Sequence, residues 1–398
     1  MNDTEFQKYL DLLMSMSLDC KMKGITKETY INNLKMITSN LSVNDRLNPV
    51  DAEYFRLVRL VLEKGKTKKN RTGVDTIGVF GAQAKFNIDM NAFPILTTKK
   101  VFMKGIIHEL LWFLKGDTNI KYLVDNDVHI WDEWAYKKYY DIHKVNDTVE
   151  GDRWMKHNPT LPPPIGDTVS MFTQEEFIQN IKTNPDWLRW GELGMGTYGG
   201  MWRDFPHFKK TYSSPTEKCG VGDEYEPEGV DQIQKVLNKL KTNPDDRRMI
   251  VSAWHPYWVD HCALPPCHCL FHFNTEELSD WEKEDIGHKA TRKLNCLLYQ
   301  RSCDLGLGVP FNITSYCLLT AMMAQSVGMV PGTFTHTYGD LHIYKNHVEA
   351  LAGQLERDSK PLPKLIITTG KGLFDLTYDD IKLENYVSHP AIKMDVAV

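Results

Sequence analysis

Two cysteines and a histidine stand together in Leu264-Pro265-Pro266-Cys267-His268-Cys269, just ahead of the apolar run Leu270 to Phe273. A thiol in a short turn before a strand can be a nucleophile, a metal ligand or a buried core group. Zinc sites pair their ligands at a set spacing, and Cys262, Cys267 and Cys269 lack the usual two-residue gap. The Pro-Cys-x-x-Cys of zinc deaminases, with its upstream His-x-Glu, is also absent. On these residues alone, a core thiol is the favoured reading, a nucleophile stays open and a metal site is a weak alternative.

A second cluster is Gln300-Arg301-Ser302-Cys303-Asp304, followed by Gly306-Leu307-Gly308-Val309-Pro310-Phe311-Asn312. An arginine near a cysteine favours the thiolate, which is the reactive form. Asp304 and Asn312 can both read the edge of a bound heterocycle, and the segment is equally a turn followed by a helix cap. Its Gly-x-Gly is too short for a dinucleotide loop. A third cluster, Asp245-Asp246-Arg247-Arg248, offers paired guanidinium groups that grip phosphate oxygens bidentately. A solvated surface pair is the plain alternative.

The elements that must hold these groups can be read from periodicity. Met249 to Trp254, Leu270 to Phe273 and Leu294 to Gln300 are short, apolar and rich in β-branched or aromatic residues, which predicts strands. Ile106 to Leu114 and Ile313 to Val327 read as buried helices. The mixture predicts an α+β fold, a mixed sheet covered by helices. Residues 1–50 read as a helical extension of two amphipathic segments, with Phe6, Leu10, Leu13 and Met14 in the first and Tyr30, Leu34 and Ile37 in the second. Insertions are expected near 136–190, which holds Pro162-Pro163-Pro164, near 206–229 as a surface loop, and near 276–292.

The net charge of −5 argues against general nucleic-acid binding, which needs a basic excess. No stretch approaches the length of a membrane-spanning helix. The first residues lack the basic and apolar regions of a signal peptide. Eight cysteines in 398 residues are too sparse for a disulfide scaffold, so a reduced, cytoplasmic setting is expected.

Several motifs stand in order: Arg71-Thr72-Gly73, His108-Glu109-Leu110-Leu111-Trp112-Phe113-Leu114, Gly116-Asp117-Thr118-Asn119-Ile120 and Ile130-Trp131-Asp132-Glu133-Trp134. Asp246-Arg247-Arg248, Pro266-Cys267-His268, Gln300-Arg301-Ser302 and Pro310-Phe311-Asn312-Ile313 follow, then His342-Ile343-Tyr344, Asn346-His347 and the final Ala397-Val398. In composition, order and spacing, residues 51–398 resemble the thymidylate synthase family, insertions apart. The resemblance implies that family's fold and one-carbon transfer from 5,10-methylenetetrahydrofolate to C5 of dUMP, without a metal. Cys267 matches the thiolate that attacks C6 of uracil. Arg301 matches the arginine beside it, with Arg71, Ser302, Arg247 and Arg248 completing a phosphate site. The last two reach across from a second subunit, which implies a homodimer.

Further matches divide between the base, the sugar and the folate. Asn312 matches the amide that reads O4 and N3 of uracil, where relatives acting on dCMP carry aspartate. His342 and Tyr344 match residues that bind the sugar 3′-hydroxyl. Glu109, His268 and Tyr198 match a proton-handling network. Trp131 and Asp304 match the folate wall and a pterin-binding carboxylate, and Val398 matches the terminal carboxylate that closes over the folate. No membrane and no stable nucleic-acid partner are expected.

The chain departs from the family pattern at Met201, which stands for a glutamine, and in the lengthened Gly194-Met195-Gly196-Thr197. His255, His272 and Lys104 also differ, replacing asparagine, glutamine and arginine. These positions support the ring and folate environment, where water access decides the outcome. They favour a 5-hydroxymethyl product with water as final nucleophile, as in hydroxymethylases of some phages. The alternative is thymidylate synthesis, with hydride from tetrahydrofolate and release of dihydrofolate; the retained Ala397-Val398 end favours it. A non-catalytic nucleotide- or RNA-binding relative is remote, because Cys267 and Glu109 are both kept.

Overall fold

The structure is a computed structural model that describes residues 47–70, 73–145, 172–210, 225–286 and 290–396. The chain divides into two compact units, Asn48–Glu277 with Lys289–Val398, and Met1–Leu47 with Leu278–His288. The expected helical extension over 1–50 falls outside the described residues up to residue 46.

The larger unit opens with α1 (Pro49–Lys64). Its Asn48 cap accepts from the N–H groups of Val50 and Asp51 at 3.0 and 2.9 Å, and Pro49 occupies the first helical position. Asp51 is fully buried, and its carboxylate accepts from the backbone N–H and hydroxyl groups of Thr97 and Thr98. That network fixes the start of the body against the segment leading to the next helix.

β1 (Lys66–Lys68) and β2 (Thr76–Asn87) follow, then α2 (Met103–Leu114), α3 (Lys121–Asp125), α4 (Asp132–Val145) and α5 (Gln174–Thr183). Every residue of α2 from Gly105 to Leu114 is buried, including the two polar residues, His108 and Glu109, in an otherwise apolar run. α4 and α5 stand inside or beside the stretch expected as a partly irregular insertion, and α5 is started by a capping box between Thr173 and Glu176. Next come α6 (Tyr198–Arg203), β3 (Phe205–Lys210), β4 (Tyr225–Val230), α7 (Gln232–Thr242) and β5 (Ile250–Ser252). The expected surface loop over 206–229 is thus corrected at both ends. There β3 and β4 pair antiparallel from Phe205 opposite Val230 to Lys210 opposite Tyr225, with His207 and Glu228 meeting across the pair.

β6 (His268–Glu277) and β7 (Arg292–Asp304) flank α8 (Asp280–Ile286), which belongs to the smaller unit. α9 (Gly308–Ser326), β8 (Val330–Tyr344), α10 (Val348–Gln354), β9 (Lys364–Ile367) and β10 (Ile381–Glu384) complete the chain. The main sheet has six strands in the order β1-β2-β8-β7-β6-β5. β7 and β8 run parallel and the other neighbours antiparallel, which is the expected mixed sheet. α9, buried from Val309 to Ala324 apart from Phe311, forms the crossover between the two parallel strands and packs on both. No helix among the described residues is long and apolar enough to cross a membrane.

Candidate active site

Cys267 occupies the last position before β6, after two prolines that restrict the approach of the chain. Its backbone is fixed from two directions. The N–H groups of Cys267 and His268 both donate to the hydroxyl of Tyr198, at 2.9 and 3.2 Å. The carbonyl of Cys267 accepts from the N–H of Arg301 on β7 at 2.9 Å. The guanidinium of Arg301 adds donations from Nε to the Pro266 carbonyl at 2.9 Å and from Nη2 to the Pro265 carbonyl at 2.7 Å. It also lies 5.6 Å from the centre of the Trp254 ring. These bonds use two of its five N–H donors.

The other described cysteines are poor nucleophiles. Burial pushes the Cys262 thiol up to about 11 and Cys296 up to about 12, and raises Cys269, Cys303 and Cys317 as well. Cys267 is only partly buried. Cys262 is partly buried as well, but its thiol is pushed up, whereas the Cys267 loop is the one bonded to the Arg301 guanidinium, through the carbonyls of Pro265 and Pro266.

Tyr198 opens α6, whose close seating depends on small residues. A Cβ at Gly199 would lie 2.2 Å from the carbonyl oxygen of Asp117. Arg203, at the end of α6, donates to the carbonyl of Leu114 and so ties this helix to the end of α2. Because the Tyr198 hydroxyl accepts two N–H groups, its own proton is left to donate elsewhere.

Glu109 sits in the middle of α2, buried, and burial raises it to about 7. Its Oε1 accepts from the indole N–H of Trp131 at 2.7 Å, which opposes that rise. The Trp131 ring in turn stands edge-on to Tyr198, 6.2 Å between centres. His268 completes the row, with its ring 5.0 Å from that of Tyr198 and 5.3 Å from that of Tyr316. Burial lowers His268 to about 4, so its ring is neutral at physiological pH. Asn312, in the first half of α9, opposes that lowering slightly. Among the described residues no hydrogen bond satisfies His268 Nδ1, Asn312 Oδ1 or the Tyr316 hydroxyl, although all three atoms are buried. Orphaned polar atoms in one place call for water or ligand.

The remaining predicted residues divide by strand and by exposure. On β8, Nδ1 of His342 donates to the carbonyl of Asp340 at 3.1 Å, which leaves Nε2 as an acceptor when the ring is neutral. Its ring meets that of Tyr344 at 84°, and the Tyr344 hydroxyl accepts from Asn70 at 3.4 Å. The parallel register sets Ser302 opposite Asp340 and Asp304 opposite His342. Asp304 accepts from the N–H of Gly306 at 2.7 Å. Arg247 and Arg248 occupy an exposed turn before the edge strand β5. Arg248 donates through Nε and Nη2 to Asp246, whose carboxyl this pairing holds well below the usual range. Arg71 and Val398 lie outside the described residues. Among the described residues, no group of three or more His, Cys, Asp or Glu side chains is placed to hold a metal ion.

Sequence reasoning missed the Trp131–Glu109 hydrogen bond and the Tyr198 hydroxyl as a staple for the Cys267 loop. Neither partner pair is close in sequence, and no local pattern announces such contacts. A partly exposed thiol beside a guanidinium, facing buried groups of complementary protonation state, is what covalent thiol catalysis requires.

Comparison with known proteins agrees with that class. Residues 52–398 match the family model described as thymidylate synthase. The thymidylate synthase of Mycoplasma pneumoniae is 43% identical over 347 residues, covering 87% of this chain and 99% of that protein. That of Mycoplasma genitalium is 42% identical with the same coverage. The bifunctional dihydrofolate reductase-thymidylate synthase of Leishmania major is 39% identical over 354 residues, 88% of this chain and 56% of that protein. The chain belongs to the thymidylate synthase family.

Proposed function

We propose that this chain is a thymidylate synthase: it transfers the one-carbon unit of 5,10-methylenetetrahydrofolate to C5 of dUMP and releases dTMP and dihydrofolate. The observation that carries the reading is the continuous row Glu109–Trp131–Tyr198–His268, which runs past Cys267. Relatives matched over 99% of their length bear that name. The expected hydroxymethyl product finds no support among them. Met201, on the same short helix as Tyr198, is fully buried and brings no side-chain polar group that would hold a water.

Cys267 attacks C6 of the uracil ring. Asn312 presents its free amide oxygen to N3–H and its amide N–H to O4, which is consistent with the orphaned Oδ1. Neutral His268 and Glu109, which burial raises to about 7, exchange protons around the ring. The hydroxyl proton of Tyr198 is directed to the same side. Arg301, Ser302 and Arg71 bind the phosphate, while Nε2 of His342 and the Tyr344 hydroxyl bind the sugar. The folate fits the groups offered to it: Trp131 gives a flat buried wall, and Asp304 an accessible carboxylate for ring N–H donors. When bound, the folate supplies the one-carbon unit and the hydride. The terminal carboxylate of Val398 is assigned to close over it.

Arg247 and Arg248 are assigned to the phosphate of a second subunit. Their exposure, and the half-exposed Leu297 and Ile250 on the sheet, suit an isologous dimer. Residues 1–50 are assigned to a peripheral extension of the catalytic domain.

The test is to incubate the enzyme with dUMP and methylenetetrahydrofolate, identify the nucleotide by mass spectrometry and follow absorbance for dihydrofolate. A methyl product with dihydrofolate is expected. A hydroxymethyl product with tetrahydrofolate would overturn the reading.

A further inference from the structure

The turn between α7 and β5 carries four charged residues in a row, Asp245-Asp246-Arg247-Arg248, and its two carboxylates sit in different surroundings. Asp245 stands in solvent, its side chain 72% exposed, and pairs with Arg292 at the start of β7. Asp246 is turned inwards, its side chain only 6% exposed. It accepts from the N–H of Arg248 at 2.7 Å, and from Nε and Nη2 of the same residue at 3.0 and 3.1 Å. A second cation reaches it from the body of the protein. Nζ of Lys239, on α7, lies 2.9 Å from Oδ2 of Asp246 and also donates to the Arg248 carbonyl at 3.4 Å.

α7 holds Lys239 in place independently of the turn. The helix buries Ile233, Val236, Leu237 and Leu240, and Asp231 caps it by accepting from the N–H of Gln234 at 2.8 Å. The side chain of Gln232 binds both backbone groups of Ser252 on β5, at 2.7 and 3.0 Å. Helix and strand are thus locked together on either side of the turn. A buried carboxylate is costly to leave without a cation. Were Arg248 the only partner of Asp246, drawing its guanidinium towards a phosphate would strand that charge. With Lys239 in place the charge stays compensated, and Arg248 can exchange one anion for another. Asp245 needs no such standing partner, because water reaches it.

We propose that Lys239 is a positioning residue for the arginine turn: it holds Asp246 so that Arg248 can leave that carboxylate for the phosphate of a ligand. The proposal rests on the reading above, in which the turn serves the phosphate of dUMP in a second subunit. The full chain is tested first without ligand. Phenylglyoxal condenses with guanidinium groups that no carboxylate holds, and peptide mass spectrometry gives the rate at each arginine. In Lys239→Ala the rate at Arg248 should fall about tenfold, the order of a charged hydrogen bond, while Arg247 reacts as before. Lys239→Arg should keep the wild-type rate. Adding Asp246→Asn to Lys239→Ala should restore it, since the neutral amide still accepts from the Arg248 N–H but needs no counter-ion.

Equilibrium dialysis supplies the second probe. The Kd for dUMP should rise about tenfold in Lys239→Ala, while that for deoxyuridine, which lacks the phosphate, stays fixed. In an Arg248→Ala background the same substitution should add nothing. An unchanged rate at Arg248 in Lys239→Ala would overturn the release. So would failure of Asp246→Asn to restore that rate, or an equal rise in Kd for dUMP and deoxyuridine, which a loosened fold would give. Wild type that binds dUMP no better than deoxyuridine would sink the phosphate reading, and the phenylglyoxal comparison would still decide what Lys239 does.

Discussion

The loop of Cys267 and the turn of Arg247 and Arg248 both lead directly into strands of the same sheet, yet they are built in opposite ways. The first is held by a tyrosine hydroxyl, a neighbouring strand and a guanidinium that spans two carbonyls. The second leaves the Arg248 side chain 82% exposed, braced by Asp246 alone among the described residues. One is completed within a single chain. The other holds its cations ready in solvent. On the proposed reading, the difference teaches that a catalytic nucleophile must be fixed before substrate arrives, whereas a phosphate clamp can be supplied by an association step.

The comparison breaks most sharply at the nucleophile. Cys267→Ala should lower kcat on the order of 10³-fold or more, the scale of losing a covalent group, while dUMP still binds by equilibrium dialysis. Glu109→Gln comes next, with turnover falling about 10²- to 10⁴-fold. It should also change stability. Burial raises Glu109 from 4.5 to about 7, so its contribution is fully present below 4.5 and is lost as pH rises through 7. That loss is about 3 kcal/mol at most, and thermal melts should decline from pH 5 to 8 in wild type and flatten in Glu109→Gln.

The arginine turn should respond more mildly and in a different currency. Arg247→Ala should raise the Kd for dUMP about 10- to 100-fold, the range for a hydrogen-bonded charge. Mixing Arg247→Ala with Cys267→Ala subunits should regain activity, because one hybrid site holds both intact groups. No recovery on mixing would place the arginine and the cysteine in the same chain and end the contrast drawn here. Asn312→Asp is the smallest effect expected on overall rate. It should shift preference towards dCMP by about 1–3 kcal/mol, read as a ratio of kcat/KM values.

The sequence made the site more legible than the sheet. Cys267, Arg301 and Asn312 lie in short motifs whose order survives on the page, and their strands and helix were visible from apolar runs. β2 and β8 were not singled out, since Gly78, Gly81, Thr333, Thr335 and Thr337 dilute the apolar alternation. The β3–β4 pair reads as loop because Pro206, Pro227 and charged residues mask a pairing that only register reveals. The protonation states were equally out of reach. Glu109 and His268 are shifted chiefly by burial, which depends on what packs around them rather than on their neighbours in sequence.

The parallel register of β7 and β8 works as a ruler. Ser302 and Asp304 on one strand sit opposite Asp340 and His342 on the next, and the strands are held about 4.8 Å apart by their ladder. On the proposed reading, the phosphate is gripped from β7 and the sugar from β8. The distance between those grips is then a property of the sheet and cannot drift with side-chain motion. A substrate with a longer phosphate chain would have to be accommodated outside this scale, beyond the strand ends, where loops alone could be remodelled to receive it.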